Sequence, residues 1–158
     1  MINSKLNKIF KNKTILFTGG TGSLGNEFTR LMLEKCKSFK KLIIFSRDEF
    51  KQYNQRQKFK SYKQFDKLRF FLGDVRDKKR VNIALNGVDI IIHAAALKQI
   101  DIAEYNPTEF IETNINGTKN IIEACFQKKI KAILISTDKA CMPVNLYGAT
   151  KLCAEKLF

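Results

Sequence analysis

Five short apolar runs punctuate a lysine-rich chain: Thr14–Thr18, Lys41–Ser46, Leu68–Leu72, Val88–His93 and Lys131–Ser136. Each is too short for a helix and is bounded by glycine or polar residues, so each reads as a buried strand. Between them the apolar positions recur at helical spacing. Leu24, Phe28, Leu31 and Met32 predict a helix over 24–37, followed later by a polar helix over 49–59 and a short one over 78–85. Pro107 suits the first turn of a long helix reaching about Lys128, with Ile111, Ile115, Ile121 and Ile122 facing inward. A last helix starts near Tyr147. Residues 1–12 read as a polar lead-in with slight amphipathic character, and 13–158 as one domain without repeats or linkers. Nearly unbroken apolar strands alternating with helices predict an α/β doubly wound parallel sheet, covered on both faces.

Composition narrows the classes. A length of 158 residues suits a single core, and 44% hydrophobic with 28% charged residues is a globular rather than a disordered balance. No apolar run approaches the ~18 residues of a membrane span. The N-terminus lacks the apolar stretch of a secretory signal, so a cytoplasmic location is expected. The four cysteines, Cys36, Cys125, Cys141 and Cys153, form no CxxC pair, and His93 is the only histidine. We therefore expect reduced thiols and no metal site. The net charge of +14 comes from scattered lysines with no basic helix, which argues against a nucleic-acid partner.

The first strand leads directly into Thr18-Gly19-Gly20-Thr21-Gly22-Ser23-Leu24-Gly25, a G-x-x-G-x-x-G turn opening a helix. In that context Gly19 permits the tight turn and Gly22 admits a pyrophosphate to the backbone. Gly25 lets the helix pack closely, with its N-terminus facing the phosphates. This is the Rossmann arrangement for a dinucleotide. The second strand ends in Ser46-Arg47-Asp48, with Lys51 one turn on. Ser46, Arg47 and Lys51 can donate to a 2′-phosphate, favouring NADP, whereas Asp48 suits the ribose diol of NAD. Asp74 and Val75 fall where a side chain and an amide could flank adenine.

Past the fifth strand come Ser136-Thr137-Asp138-Lys139 and then Tyr147-Gly-Ala-Thr-Lys151. A Tyr and a Lys four residues apart share one helix face, and an ammonium near a phenol makes it a usable base.

With these residues in view, the chain resembles the extended short-chain dehydrogenase/reductase superfamily. TGGTGSLG, SRDE, GDVRD, HAAALK, AEYNP, STDKA and NLYGATKL together are similar to the inverting UDP-N-acetylglucosamine 4,6-dehydratases of pseudaminic acid synthesis, which feeds flagellin glycosylation. The resemblance implies that Tyr147, assisted by Lys151, takes the sugar 4-hydroxyl proton while hydride passes to NADP. Thr137 would bond the same hydroxyl, Lys139 would abstract the C5 proton, and Asp138 would protonate the departing 6-hydroxyl. Hydride return to C6 and protonation of C5 from the opposite face would complete a hydro-lyase reaction. Lys98 would touch cofactor and substrate, and Asn114 would steady a loop near the cofactor. Thr21, Ser23, Leu24, Ala94 and Ala95 would complete the cofactor-binding set. His93 reads as a packed, hydrogen-bonded residue. Two departures from the family pattern border the substrate side: Gln99-Ile100-Asp101 in place of His-Val-Pro, and Met142 in place of Asn before Pro143.

Members of that family are about twice as long, their second half supplying further strands and most of the UDP-sugar domain. The expectation is therefore a Rossmann domain that stops before the substrate domain, with the catalytic residues present and the sugar pocket absent. Poor activity or inactivity alone is expected, and a homo-oligomer is possible in the complete enzyme. A nucleotide-binding subunit needing a partner chain and a sibling nucleotide-sugar epimerase are the alternatives.

Overall fold

A computed structural model describes residues 2–158. Its five strands are β1 (Thr14–Thr18), β2 (Lys41–Ser46), β3 (Leu68–Leu72), β4 (Ile90–His93) and β5 (Lys131–Leu134). They form one parallel sheet in the order β3-β2-β1-β4-β5. The doubly wound expectation holds. The strand order reverses at β1, which opens a crevice beyond the carboxyl ends of β1 and β4.

Alternation along the strands divides the core. Ile15 and Phe17 of β1 and Leu42 and Ile44 of β2 face α2 (Ser23–Lys35), where they meet Met32 and Leu33, with Phe59 packed in the same cluster. Leu16, Phe45 and Ile91 face the other way, onto Val81 and Leu85 near α4 (Lys78–Ala84) and onto Ile121, Ala124 and Cys125. Full cover on both faces applies to the central strands only. Edge strand β5 alternates exposed and half-buried positions, leaving Ile133 about half exposed.

Three sequence expectations change. The lead-in over 1–12 is a helix, α1 (Ile2–Ile9), docked on the domain. Asn7 Oδ1 accepts the Lys37 and Ser38 amide protons at 2.9 and 3.0 Å, and Phe10 is buried in the core. So short a lysine-rich helix owes its order to these tertiary contacts, which periodicity does not register. A second short helix, α5 (Ile100–Tyr105), was not foreseen.

The long helix from Pro107 is real but not uniform. It runs as α6 (Pro107–Phe110), a widened π turn over Ile111–Asn116, and α7 (Gly117–Lys128). The extra residue per turn rotates the inward face. Ile111 is exposed, while Thr113, Asn114, Gly117 and Thr118 are buried with Ile121. Helix α3 (Glu49–Phe59) is unusual in a different respect: its buried residues are Gln52, Gln55 and Phe59. Gln52 Nε2 donates to the Ser46 carbonyl, the Ser46 hydroxyl and the Phe71 carbonyl, and Gln55 Nε2 donates to the Gly20 carbonyl at 2.9 Å. The last helix, α8 (Leu146–Leu157), is capped by Asn145, whose Oδ1 accepts the Gly148 amide proton at 2.8 Å.

Candidate functional site

The crevice is a cavity of about 580 Å³, within the range of small-ligand sites. It is lined from the ends of all five strands, and α8 contributes Tyr147 and Lys151. The glycine-rich turn forms its floor. Gly19 has φ of 64°, the left-handed region that glycine adopts without a steric cost, and a Cβ there would press on Ala94 and Ala95. A Cβ on Gly25 would collide with the Gly20 carbonyl, so only glycine lets α2 sit this close to the turn. At Gly22 a Cβ would meet nothing but the Gly19 oxygen, so this stretch of backbone is open to a ligand. Gly22 also begins α2 without a side-chain cap, while Asn26 Nδ2 secures the turn through the Thr21 and Gly22 carbonyls. Amide donors at an uncapped helix N-terminus suit a phosphate.

At the β2 end, Ser46 is buried, and its hydroxyl accepts from Gln52 at 3.1 Å. Asp48 does not turn toward the cavity freely. It caps α3 by accepting the Lys51 amide proton at 2.9 Å and pairs with the Lys51 ammonium at 3.3 Å. These bonds hold its carboxyl below the usual range. Arg47 lies 3.8 Å from Asp74, which takes two guanidinium bonds and a backbone bond from Arg76. Burial works to raise the Asp74 pKa, but the Arg76 bonds outweigh it and hold the group ionised. Val75 is buried beside Asp74, and both line the cavity.

At the other end, Lys151 is almost fully buried and donates to the Ile135 carbonyl at 2.8 Å. Burial lowers its pKa, with the Glu155 charge acting in the opposite sense. Lys98 is exposed on the rim. Asn114 reaches the loop after β4, accepting the Leu97 amide proton at 2.8 Å and donating to the Leu97 carbonyl at 2.9 Å. His93 is buried between Thr18 and Thr118, and burial, aided by the Lys151 charge, pushes its pKa down to about 3. It is a neutral packed ring, as its sequence position suggested.

Thr137, Asp138 and Lys139 are not among the lining residues, although their neighbours Ile135 and Ser136 are. Thr137 caps a short turn over Asp138–Ala140 and donates its hydroxyl to Asp138 at 3.0 Å. Asp138 and Lys139 are exposed and pair at 3.5 Å. The Thr137 bond, and then the Lys139 charge, hold the Asp138 carboxyl below the usual range. The backbone of this turn is nonetheless fixed, because a Cβ on Gly148 of α8 would collide with the Lys139 carbonyl.

Several lining residues, among them Gly73, Leu97 and Thr113, were missed from sequence. Thr113, in the π turn, is buried against the cavity, and its hydroxyl has no hydrogen-bond partner. A threonine in an apparently regular helix gives no signal of this. Among the described residues, no cluster of His, Cys, Asp or Glu suits a metal, and no helix is long and apolar enough to cross a membrane.

The family model of polysaccharide biosynthesis proteins matches residues 15–158. The chain belongs to that family. It is 54% identical to a UDP-N-acetylglucosamine 4,6-dehydratase (inverting) of Campylobacter jejuni, over 95% of this chain and 44% of that one. It is 43% identical to a UDP-glucose 4-epimerase of Rickettsia canadensis, over 94% of this chain and 43% of that one. The chain thus spans less than half the length of the curated relatives it matches. Among solved structures, Pen from Bacillus thuringiensis superposes with a TM-score of 0.87 at 38% identity, covering 94% of this chain and 44% of that one. DesIV, a dTDP-glucose 4,6-dehydratase of Streptomyces venezuelae solved with NAD and TYD bound, gives 0.81 at 24% identity, covering 91% and 50%. The latter likeness concerns the fold, and the fold is Rossmann-like.

Proposed function

We propose that this family member carries the cofactor-binding and proton-transfer half of an NADP-dependent UDP-N-acetylglucosamine 4,6-dehydratase that inverts C5. That reaction would begin pseudaminic acid-type sugar synthesis for flagellin, in the cytoplasm. The observation that carries the reading is one cavity bringing together the open glycine turn and the Tyr147–Lys151 pair, in a chain 54% identical to such an enzyme.

The residues fit a dinucleotide. The open backbone at Gly22, the uncapped start of α2 at Ser23 and Leu24, and the unpartnered Thr113 hydroxyl are all acceptor-seeking or donor groups facing one cavity. Gly19, Thr21, Gly22, Ser23, Leu24 and Gly25 would hold the pyrophosphate. Ser46, Arg47 and Lys51 would hold a 2′-phosphate, with Asp48 committed to capping α3. That commitment favours NADP over NAD. Asp74 and Val75 would flank adenine, while Ala94, Ala95, Lys98 and Asn114 would shape the nicotinamide side.

The bound cofactor would supply a hydride acceptor and return the hydride later. Tyr147 would remove the 4-hydroxyl proton with Lys151 behind it, and Thr137 would orient that hydroxyl. Lys139 would take the C5 proton, and Asp138 would give a proton to the leaving 6-hydroxyl. The exposed Asp138 is ionised, so its acid role requires that bound sugar or covering protein exclude water and raise its pKa.

The second reading, a nucleotide-sugar 4-epimerase, has the 43% relative in its favour. Purified protein titrated with NADPH and NADH by fluorescence tests the cofactor half, and tighter binding of NADPH is expected. Incubation with UDP-N-acetylglucosamine and NADP, followed by mass spectrometry, tests the chemistry. Loss of one water supports the dehydratase, and an isomer of unchanged mass supports the epimerase. Cofactor binding without turnover points to a module that acts with further protein.

A further inference from the structure

Five polar side chains cross the core behind the cavity: Thr18, His93, Asn114, Thr118 and Thr150, each at least 98% buried. Their hydrogen bonds have only one consistent direction. The Ala94 and Ala95 amides both donate to Thr18 Oγ1 at 3.1 Å, so the Thr18 proton must go to His93 Nδ1, 2.7 Å away. On the other side, Thr118 Oγ1 lies 2.6 Å from the Asn114 carbonyl, which can only accept. The Thr118 proton is therefore spent there, and Thr118 accepts from His93 Nε2 at 3.0 Å. Asn114 Nδ2 then donates to the Leu97 carbonyl and to Thr150 Oγ1, and Thr150 donates to the Tyr147 carbonyl at 2.8 Å.

We infer that His93 is a positioning residue: as the Nε2–H tautomer it locks the loop after β4 and the glycine-rich turn after β1 in register with helix α8. The opposite tautomer would give Thr18 Oγ1 a third donor and leave Nε2 facing a hydroxyl whose proton is already committed. The ring therefore works in one orientation and one protonation state, and it sets the spacing between the turn that binds phosphate and the helix that bears Tyr147 and Lys151. The purpose of that spacing rests on the proposed cofactor site; the relay itself does not.

The single histidine makes the test direct. In the whole chain labelled with ¹⁵N-histidine, NMR is expected to show a neutral ring protonated at Nε2; a ring protonated at Nδ1, or a mixture, overturns the inference. Thr118→Val removes the acceptor and is expected to speed amide exchange at Ala94, Ala95 and Leu97 about tenfold relative to β3, with Thr118→Ser restoring protection. Unchanged protection in Thr118→Val, or no recovery in Thr118→Ser, also overturns it. If Thr118→Val does not fold, the wild-type tautomer and the protection retained by Thr118→Ser decide. NADPH affinity should fall about tenfold in Thr118→Val and return in Thr118→Ser. If the wild-type chain binds neither NADPH nor NADH, the cofactor reading fails while the tautomer and exchange results still judge the relay.

Discussion

The glycine-rich turn after β1 and the short turn after β5 are built in opposite ways. Around the glycine-rich turn, glycines pack against carbonyls, buried amides hold backbone oxygens, and the walls are set by the sheet itself. Around Asp138 and Lys139, the backbone is equally fixed, yet the charged side chains stand in solvent and neutralise each other. Holding an extended anionic ligand needs fixed donors, which a sheet edge and a helix start provide at once. Donating a proton from an exposed, ionised carboxylate such as Asp138 needs its pKa raised, and that calls for water to be excluded. A Rossmann domain supplies the first by its topology and the second only where something covers it.

The contrast can be broken most forcefully at Gly25. Gly25→Ala drives a methyl group into the Gly20 carbonyl and should cost about 3 kcal/mol of stability, read as a fall in the urea midpoint. Next in size, Arg47→Ala should weaken NADPH binding about tenfold and leave NADH binding almost unchanged. Equal losses for the two would remove Arg47 from the 2′-phosphate role.

A smaller effect comes from His93. Its folded pKa of about 3 lies below the ordinary 6.5, so between those values the unfolded chain binds a proton that the folded chain refuses. Stability must then fall as pH drops through that window, by about 1 kcal/mol from about pH 7 to about pH 5.5. The lowered aspartates, Asp48, Asp74, Asp138 and Asp89, the last of which accepts the Thr14 amide proton and pairs with Lys13, lose their contributions only at lower pH, as they protonate below the ordinary 3.8. Denaturant melts across this range check the slope, and a flat profile above about pH 5 contradicts it. The smallest change in stability belongs to the exposed pair. Asp138→Asn and Lys139→Met should each shift stability by less than about 0.5 kcal/mol while abolishing water loss from the sugar nucleotide in any preparation that turns over.

Sequence made the sheet legible because its five strands are apolar runs with abrupt ends, and all five lie where the pattern put them, with β4 and β5 trimmed at one end. The glycine turn was legible for the same reason: its steric demands leave a residue-level trace at Gly19, Gly22 and Gly25. Thr113 and the exposure of Ile111 were not legible, because a π turn is set by tertiary packing and leaves no local composition. The polar seating of α3 was hidden as well. Gln52 and Gln55 look like surface residues until the carbonyls they reach are placed beside them.

That seating has a consequence for motion. Most of what anchors α3 to the sheet is amide hydrogen bonding, which water can replace, with Phe59 as the one large apolar anchor and the Gln55 oxygen left without a partner. Such a segment separates from its sheet at a fraction of the global unfolding free energy, as a cooperative unit of its own. Because α3 also carries Lys51, which lines the cavity, and latches Gly20, its release would loosen the β2-side wall and the glycine-rich turn together. Native-state exchange should find α3 opening ahead of α2 and α7, a hinged panel beside the crevice.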